Sequence, residues 1–471
     1  MPELTINGDS VDGDGEPFGV VDPATGEVFA TAPRCSPDQL EAAMRGAERA
    51  FVTWRRDEGI RVAAMLKLAE VITSAADELT ALLVSETGKP VPVAASEPGI
   101  CAVWLQYYAG MAIPRTVLQD DAQARIDIAH RPLGVVAAIT PWNFPLGLAM
   151  WKMAPALRAG NTVVLKPSPF TPLATLRLGE IMNEVLPPGV LNVVTGGDDL
   201  GAAMTAHPTP RKVSFTGSVA AGKKVAVAAA GDLKRVTLEL GGNDAAILLD
   251  DADPAAVAPA LVGVAFFNSG QACALPKRIF APDAIYDEVV EAFAAVAAGM
   301  SAGMSDRPDR TFGPLSTRPQ YERVRDLLAE ARRSGARVAS GGSIPAGGGF
   351  FVQPTILADV HDGQQIVDEE QFGPVLPILR YSNLDEAIRR ANATTYGLCG
   401  SVWSRDEERA LDAAEQLECG TTFVNTHAAL LPTVPFGGSK WSGVGVENGV
   451  DGLLAFTEAQ TVHMARSNAT S

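Results

Sequence analysis

Cysteine is scarce in this chain. Five are present among 471 residues, at positions 35, 101, 273, 399 and 419. No two form a C-x-x-C pair and only five histidines accompany them, so no zinc-type cluster or other metal site is expected. An odd, widely spaced set is no disulfide framework. It suits a reducing compartment, taken here as the cytoplasm. Excess positive charge is also missing. Lys and Arg total 38 against 55 Asp and Glu, a formal net charge of -17. Phosphates would be repelled, which excludes nucleic acid and an anionic membrane as main partners. Residues 1–16 are acidic and hold no apolar core, so no signal or transit peptide is expected. Internal repeats and low-complexity linkers are lacking too.

Charge is absent from two long stretches, 132–151 and 254–276. Both are long enough to cross a bilayer. The first holds Pro132, Pro141 and Pro145 around a Trp-Asn pair, and the second holds Pro259, Asn268 and Gln271. Prolines and amides in mid-span disfavour insertion, so both stretches read as buried protein interior. An uncharged segment with isolated amides is also how the wall of a dry site reads.

What is present is ordinary for an enzyme: 47% hydrophobic and 20% charged residues, in a chain long enough for two or three domains. Helix signals dominate the first hundred residues. Ser36 with Gln39 reads as a capping box and Pro37 as a first helical residue. One long helical pattern runs over about 60–87. Residues 124–129 alternate, with Ile126 and Ile128 on one side and Arg125 and Asp127 on the other, which predicts a half-exposed strand. From Gly134 short apolar runs recur at 135–139, 162–165, 190–194, 213–215, 236–240 and 245–249, with helical patterns such as 173–186 between several of them. Continuously apolar strands alternating with helices predict parallel sheets covered on both faces. A second such series runs over about 260–425. The expected class is therefore α/β, with two doubly wound domains.

Read alone, a single cysteine is usually a buried, inert thiol. Around Cys273 the context differs, because the small residues Gly270 and Ala272 before it let backbone approach a ligand. Glu239 sits between leucines at the end of an apolar strand. Burial there would raise its pKa and suit it to accept a proton near neutral pH. Asn143 lies among Pro141, Trp142, Phe144 and Pro145, a stiff apolar mounting for an oxyanion donor. The bland alternatives are a solvent-facing carboxylate for Glu239 and a turn for Asn143.

These segments resemble the aldehyde dehydrogenase superfamily. The likeness spans nearly the whole chain: PWNFP at 141–145, LKPS at 165–168, FTGS at 215–218, LELGG at 238–242, GQAC at 270–273, EEQFGP at 369–374 and PFGG at 435–438, in the family's order. Glu239 and Cys273 are 34 residues apart, similar to the family spacing. The resemblance implies NAD(P)-dependent oxidation of an aldehyde to its acid, of the hydrolytic Cys/Glu type. Cys273 would be the nucleophile that forms a thiohemiacetal and then a thioester. Asn143 and the Cys273 backbone N–H would hold the oxyanion. Glu239 would activate the hydrolytic water, and Lys152 and Glu447 match positions tied to proton transfer.

The resemblance also implies the fold and the cofactor lining. Residues 1–112 with 132–240 would form the dinucleotide-binding domain and 241–440 the catalytic domain. Residues 113–131 and 453–467 would form a β-hairpin arm that joins subunits into a homodimer or homotetramer. Gly217-Ser218 with Lys223-Lys224 nearly spells a P-loop, but Lys224 cannot ligate Mg²⁺, so the turn suits a dinucleotide pyrophosphate instead. Ile139, Thr140, Pro141, Trp142, Lys166, Ser168, Pro169, Phe215, Ala221, Leu240, Gly241, Glu370 and Phe372 would complete the lining.

Two positions depart from the family pattern. Pro169 stands where relatives often carry the Glu that binds adenosine-ribose hydroxyls, so NAD is favoured over NADP only modestly. Asn243-Asp244 follow the glycines where many relatives have Lys. The substrate tunnel would be lined by Phe144, Trp151, Phe267, Leu430 and Phe436, with Ala272 and Ala274 beside them and His427 at the mouth. With no Arg placed for a carboxylate, a neutral aliphatic or aromatic aldehyde is expected. Three rivals share the fold: a cofactor-independent thioesterase or esterase, a CoA-acylating enzyme, and a non-catalytic scaffold. Acylating relatives usually lack the Glu239 equivalent.

Overall fold

The computed structural model describes residues 2–300, 302–303 and 312–466. Ser467, the last residue assigned to the arm, lies outside these. Two large sheets organise the rest. The first runs, edge to edge, Gly443–Val444, Arg235–Glu239, Pro210–Thr216, Val135–Ile139, Thr162–Lys166, Leu191–Val193, Leu4–Ile6 and Asp9–Val11. Its five central strands, from Arg235–Glu239 to Leu191–Val193, are parallel. Every residue of Val135–Ile139 and of Thr162–Lys166 is buried. Parallel strands need a crossover, and here it is the helix Pro145–Ala159, buried along its whole length. The uncharged stretch over 132–151 is therefore core, and no helix among the described residues is long and apolar enough to cross a membrane.

The second sheet has the order Arg337–Ser340, Thr355–Val360, Val375–Tyr381, Pro276–Pro282, Asp244–Leu248, Cys399–Trp403 and Thr421–Val424. All of its pairings are parallel except the first. Among the candidate site residues, Glu239 closes the strand Arg235–Glu239, and Cys273 lies in the loop that leads into Pro276–Pro282. Gly443–Val444 returns from the second half of the chain and pairs with Leu238 and Glu239.

The N-terminal region differs from its helical reading. The strands Leu4–Ile6, Asp9–Val11, Gly15–Asp22 and Glu27–Arg34 precede the first helix. Their partners are either each other or distant, as Thr5 with Val193. The helix Pro37–Trp54 does open on the Ser36–Gln39 capping box, worth about 1 kcal/mol. The single helix expected over 60–87 is two, Glu58–Ser74 and Ala76–Thr87. They meet at Ala75, φ -96° and ψ 11°, where no Gly or Pro announces the break.

A third sheet, antiparallel, joins Thr457–Ala465, Ala124–Pro132 and Thr116–Asp120. Its alternation is inverted relative to simple polarity. Asp127 is buried because Arg115 and Arg125 pair with it at 2.8 and 3.1 Å, while Ile126 and Ile128 stay half-buried.

Candidate active site

The helix Pro254–Ala265 ends just before a tight turn, Phe267–Gly270. Asn268, Ser269 and Gly270 are all left-handed, with φ of 49°, 56° and 75°. Such conformations cost about 1–3 kcal/mol for a non-glycine residue unless neighbours impose them. Here they do. Asn268 Nδ2 donates to the carbonyls of Asn143 (3.3 Å) and Gln271 (3.2 Å), and Ser269 Oγ donates to Gly313 O at 2.9 Å. Gln271 Nε2 donates to Asn268 O at 3.0 Å while its Oε1 accepts from Ser316 N at 2.8 Å. A Cβ on Gly270 would collide with the Gly373 carbonyl. This turn delivers Cys273 half-buried, its thiol pushed up to about 12 by burial and then by Glu370, Glu239 and Asp244, with Lys277 opposing.

Asn143 is buried, and its Nδ2 donates to Gln271 O at 3.0 Å, which ties it to the cysteine loop. Phe144 stacks on Phe267 at 6.1 Å, and Trp142 meets Phe372 edge-on at 5.3 Å. The helix that follows lacks a cap on its own N-cap residue, Phe144. Glu97 supplies one from elsewhere: its Oε2 accepts from Leu146 N (2.9 Å) and Gly147 N (3.0 Å). Its other oxygen pairs with buried Lys89 at 2.5 Å. These bonds anchor the backbone that carries Asn143.

Glu239 ends its strand with both carboxyl oxygens buried and unpaired. Its pKa is raised well above the carboxylate range, by burial first and then by Glu447, against Lys152. Lys152 Nζ donates to Glu447 Oε1 at 2.6 Å and to Thr216 Oγ1 at 2.7 Å. Ser214 Oγ donates to the same Glu447 oxygen at 3.3 Å. A buried ion pair of this kind is costly to assemble and is weak evidence of stability.

A cavity of about 670 Å³ opens beside Cys273 and Asn143. Pro141, Trp142, Asn143, Gly217, Ser218, Leu240, Gly241, Cys273, Glu370 and Phe372 line it, as do Leu148, Thr216 and Trp441. Ser218 caps the helix Val219–Ala230 by accepting from Ala221 N. A Cβ on Gly217 would press on the Phe215 ring at 2.6 Å. Lys223 packs over Trp441, 3.2 Å from the ring centroid, so the near-P-loop lysine is already engaged. Glu370 Oε1 accepts from Gly242 N at 3.0 Å, and burial pushes its carboxyl up to about 7. Thr140 Oγ1 is buried without a partner, and Ile139 ends its strand beside it. Lys166 is buried, its ammonium lowered to about 8 by burial, with Asp198 and Asp199 opposing. Ser168 Oγ accepts from Phe170 N at 3.3 Å. An open glycine turn at a helix N-terminus, an aromatic pair and an orphaned hydroxyl fit a dinucleotide.

The aldehyde dehydrogenase family profile matches residues 10–462. This chain belongs to the aldehyde dehydrogenase family. The chain is 38% identical over 449 residues to an aldehyde dehydrogenase of Fusarium sp., covering 94% of this chain and 95% of that one. It is 38% identical over 462 residues to the phenylacetaldehyde dehydrogenase of Pseudomonas fluorescens, covering 95% and 92%. The NAD+ complex of an aldehyde dehydrogenase from Bacillus cereus superposes with a TM-score of 0.96 at 35% identity, covering 99% and 97%. An E. coli NADP dependent enzyme superposes with a TM-score of 0.95 at 36% identity, covering 99% and 98%. The α/β architecture is that of the family, and the chain is an enzyme of this NAD(P)-dependent class.

As an aldehyde dehydrogenase the chain departs from its sequence reading at His427 and at Pro169. His427 is not at a tunnel mouth. It is buried, its Nδ1 lies 2.9 Å from Ser401 Oγ, and its Nε2 lies 3.6 Å from Asp244 Oδ2. Asp244 thus acquires a structural role that the sequence did not suggest, and Asn243 Nδ2 donates to Val367 O at 2.9 Å. Trp151 is held between Trp104, stacked at 5.5 Å, and Phe436, edge-on at 5.5 Å. Phe436 and Ala274 are buried, Leu430 and Ala272 half-buried, and Phe267 exposed. Pro169 lines a separate cavity of about 300 Å³ with Arg34, Phe170 and Arg318. The sequence reading missed Glu97, Trp104, Leu148, Thr216, Lys277 and Trp441. Only Lys277 carried a signal, a cation beside Arg278 at the start of an otherwise apolar strand, four residues after Cys273.

Proposed function

We propose that this protein oxidises a neutral aliphatic or aromatic aldehyde to its carboxylic acid through a thioester on Cys273. The observation that carries the reading is the meeting of Cys273 and Asn143 on the wall of the cavity that also holds the glycine turn. Glu239 directly precedes Leu240 and Gly241, which line the same cavity. A cofactor-free thioesterase would need neither the Gly217-Ser218 turn nor the Trp142–Phe372 pair.

The Cys273 thiol first loses its proton to solvent through the cavity. The thiolate then attacks the aldehyde carbon and forms the C–S bond. The charge on oxygen is taken by Asn143 Nδ2–H and the Cys273 backbone N–H. Held by the Gly217-Ser218 turn and the Trp142–Phe372 pair, a nicotinamide dinucleotide would supply the two-electron acceptor for the hydride lost when the adduct's C–H bond breaks and its C=O bond reforms as the thioester. Glu239 next takes a proton from water, the new C–O bond forms, and the Cys273 sulfur leaves as thiolate. Lys152 and Glu447 carry the proton onward. Asn143→Ala is expected to lower kcat/KM by about 2.7–4 kcal/mol of transition-state stabilisation, with dinucleotide affinity unchanged by equilibrium titration.

NAD is the favoured cofactor, with NADP accepted. Pro169 lines the cavity that also holds Arg34 and Arg318, and it offers no carboxylate to repel a 2′-phosphate. The chain works as a homodimer or homotetramer. Val117, Leu118, Val462 and Met464 leave 48%, 60%, 38% and 52% of their surface exposed on the three-stranded sheet, and a partner would cover them. Its five cysteines are unpaired, which suits the cytoplasm. The test is reduced-nicotinamide formation from an aldehyde panel with NAD and NADP offered separately. Benzaldehyde, phenylacetaldehyde and hexanal are expected to outperform succinic semialdehyde. Preference for the semialdehyde would refute the substrate class, and a large preference for NAD would refute the role given to Pro169.

A further inference from the structure

Lys277 stands four residues after the nucleophile, on the strand Pro276–Pro282, and its side chain is among the largest fully buried ones. A buried ammonium normally faces a carboxylate, because an unpaired charge is costly in a low dielectric. Among the described residues Lys277 forms no ion pair. Its Nζ instead donates to Gly270 O at 2.8 Å, the carbonyl that closes the left-handed turn before Cys273. The same Nζ lies 5.3 Å from the centre of the Phe372 ring. Three acids share its field at longer range: Glu370, Asp244 and the Cys273 thiol, which oppose the lowering that burial imposes on the ammonium. Other charged or titratable groups facing Cys273 are Glu239 and Cys399. Arg323 acts on Glu370, and His427 acts on Asp244. Lys277 is thus the cation that stands against a ring of acids around the nucleophile.

We propose that Lys277 is a positioning residue that acts through its charge. It supplies the counter-charge for the Cys273 thiolate and, through Gly270, holds the turn from which Cys273 projects. This rests on Cys273 being the nucleophile. Lys277 itself touches neither substrate nor dinucleotide in this scheme. Its charge acts before the substrate arrives, so the effect should be readable with no substrate present.

The experiment is the rate of Cys273 alkylation by iodoacetamide between pH 7 and 10, read peptide by peptide by mass spectrometry. It uses the full-length protein without substrate or dinucleotide. Lys277→Gln keeps a donor for Gly270 O and removes the charge. Lys277→Met removes both, and Lys277→Arg keeps the charge. The expected result is an alkylation rate at fixed pH about tenfold lower for the Gln and Met variants, as for one pKa unit of lost thiolate. The Arg variant should recover most of it. The kcat/KM for aldehyde should fall in step. A Gln variant whose profile overlays that of the parent overturns the proposal, as does a loss confined to Met. Because alkylation is read directly on Cys273, failure here is distinct from failure of the nucleophile assignment, which Cys273→Ala tests.

Discussion

Cys273→Ala is expected to lower kcat by at least about 10⁴-fold, since every later step passes through the bond its sulfur makes. The cavity and its glycine turn do not depend on that sulfur, so dinucleotide affinity should be unchanged. Stability should also change little, within about 1 kcal/mol, because Cys273 is half-buried and packs on the cavity wall rather than in the core. Cys273→Ser is expected to be nearly as inactive, because a hydroxyl surrounded by Glu239, Asp244 and Glu370 ionises even less readily than the thiol. Three measurements check this: nicotinamide absorbance, equilibrium dinucleotide titration, and intact mass after mixing with aldehyde. An acyl adduct on another cysteine, or turnover that survives the substitution, would sink the assignment.

Glu239→Gln is expected to separate the two halves of the reaction. Gln fills the same space but cannot take a proton from water. Steady-state turnover should fall by about 10²–10⁴-fold, the range for losing a general base. The first turnover should persist as a burst, because the thiolate forms without Glu239. A thioester should then accumulate on Cys273 and be visible by intact mass. The pH dependence has a definite sign. Glu239 works as a base only when deprotonated, and its pKa is raised. Hydrolysis in the parent should therefore quicken as pH rises towards that value, and this limb should vanish in Glu239→Gln. Stability follows the same linkage. A carboxyl whose folded pKa lies above its unfolded one contributes stability below the unfolded value and loses it as pH rises through the folded value. Above neutral pH, Glu239→Gln should then be at least as stable as the parent. A variant with neither burst nor accumulated thioester would remove Glu239 from the hydrolytic step.

Much of the molecule was legible in contiguous residues. The apolar runs at 135–139, 162–165 and 245–249 became buried parallel strands, because burial on both faces leaves no alternation to misread. The capping box at Ser36 did likewise, since a cap is a matter of three residues. Motif order alone pointed to the family and to the groups that meet at the cavity. The failures share one cause. Leu4–Ile6 is a strand because Val193 offers it an edge, and Ala75 breaks a helix without a breaker residue. Ile126 and Asp127 exchange burial because Arg115 reaches the acid.

Packing between distant segments settled the partners of several buried charges. Lys152 meets Glu447 from 295 positions away, and Glu97 caps a helix from 49 positions away. His427 turns inward because Asp244 waits there, and Lys277 is buried against Gly270 rather than beside an acid. Periodicity and capping are properties of neighbouring residues, so elements, motifs and chemistry could be read along the chain. Which buried charge faces which depends on how two sheets and their helices pack. No local pattern encodes that.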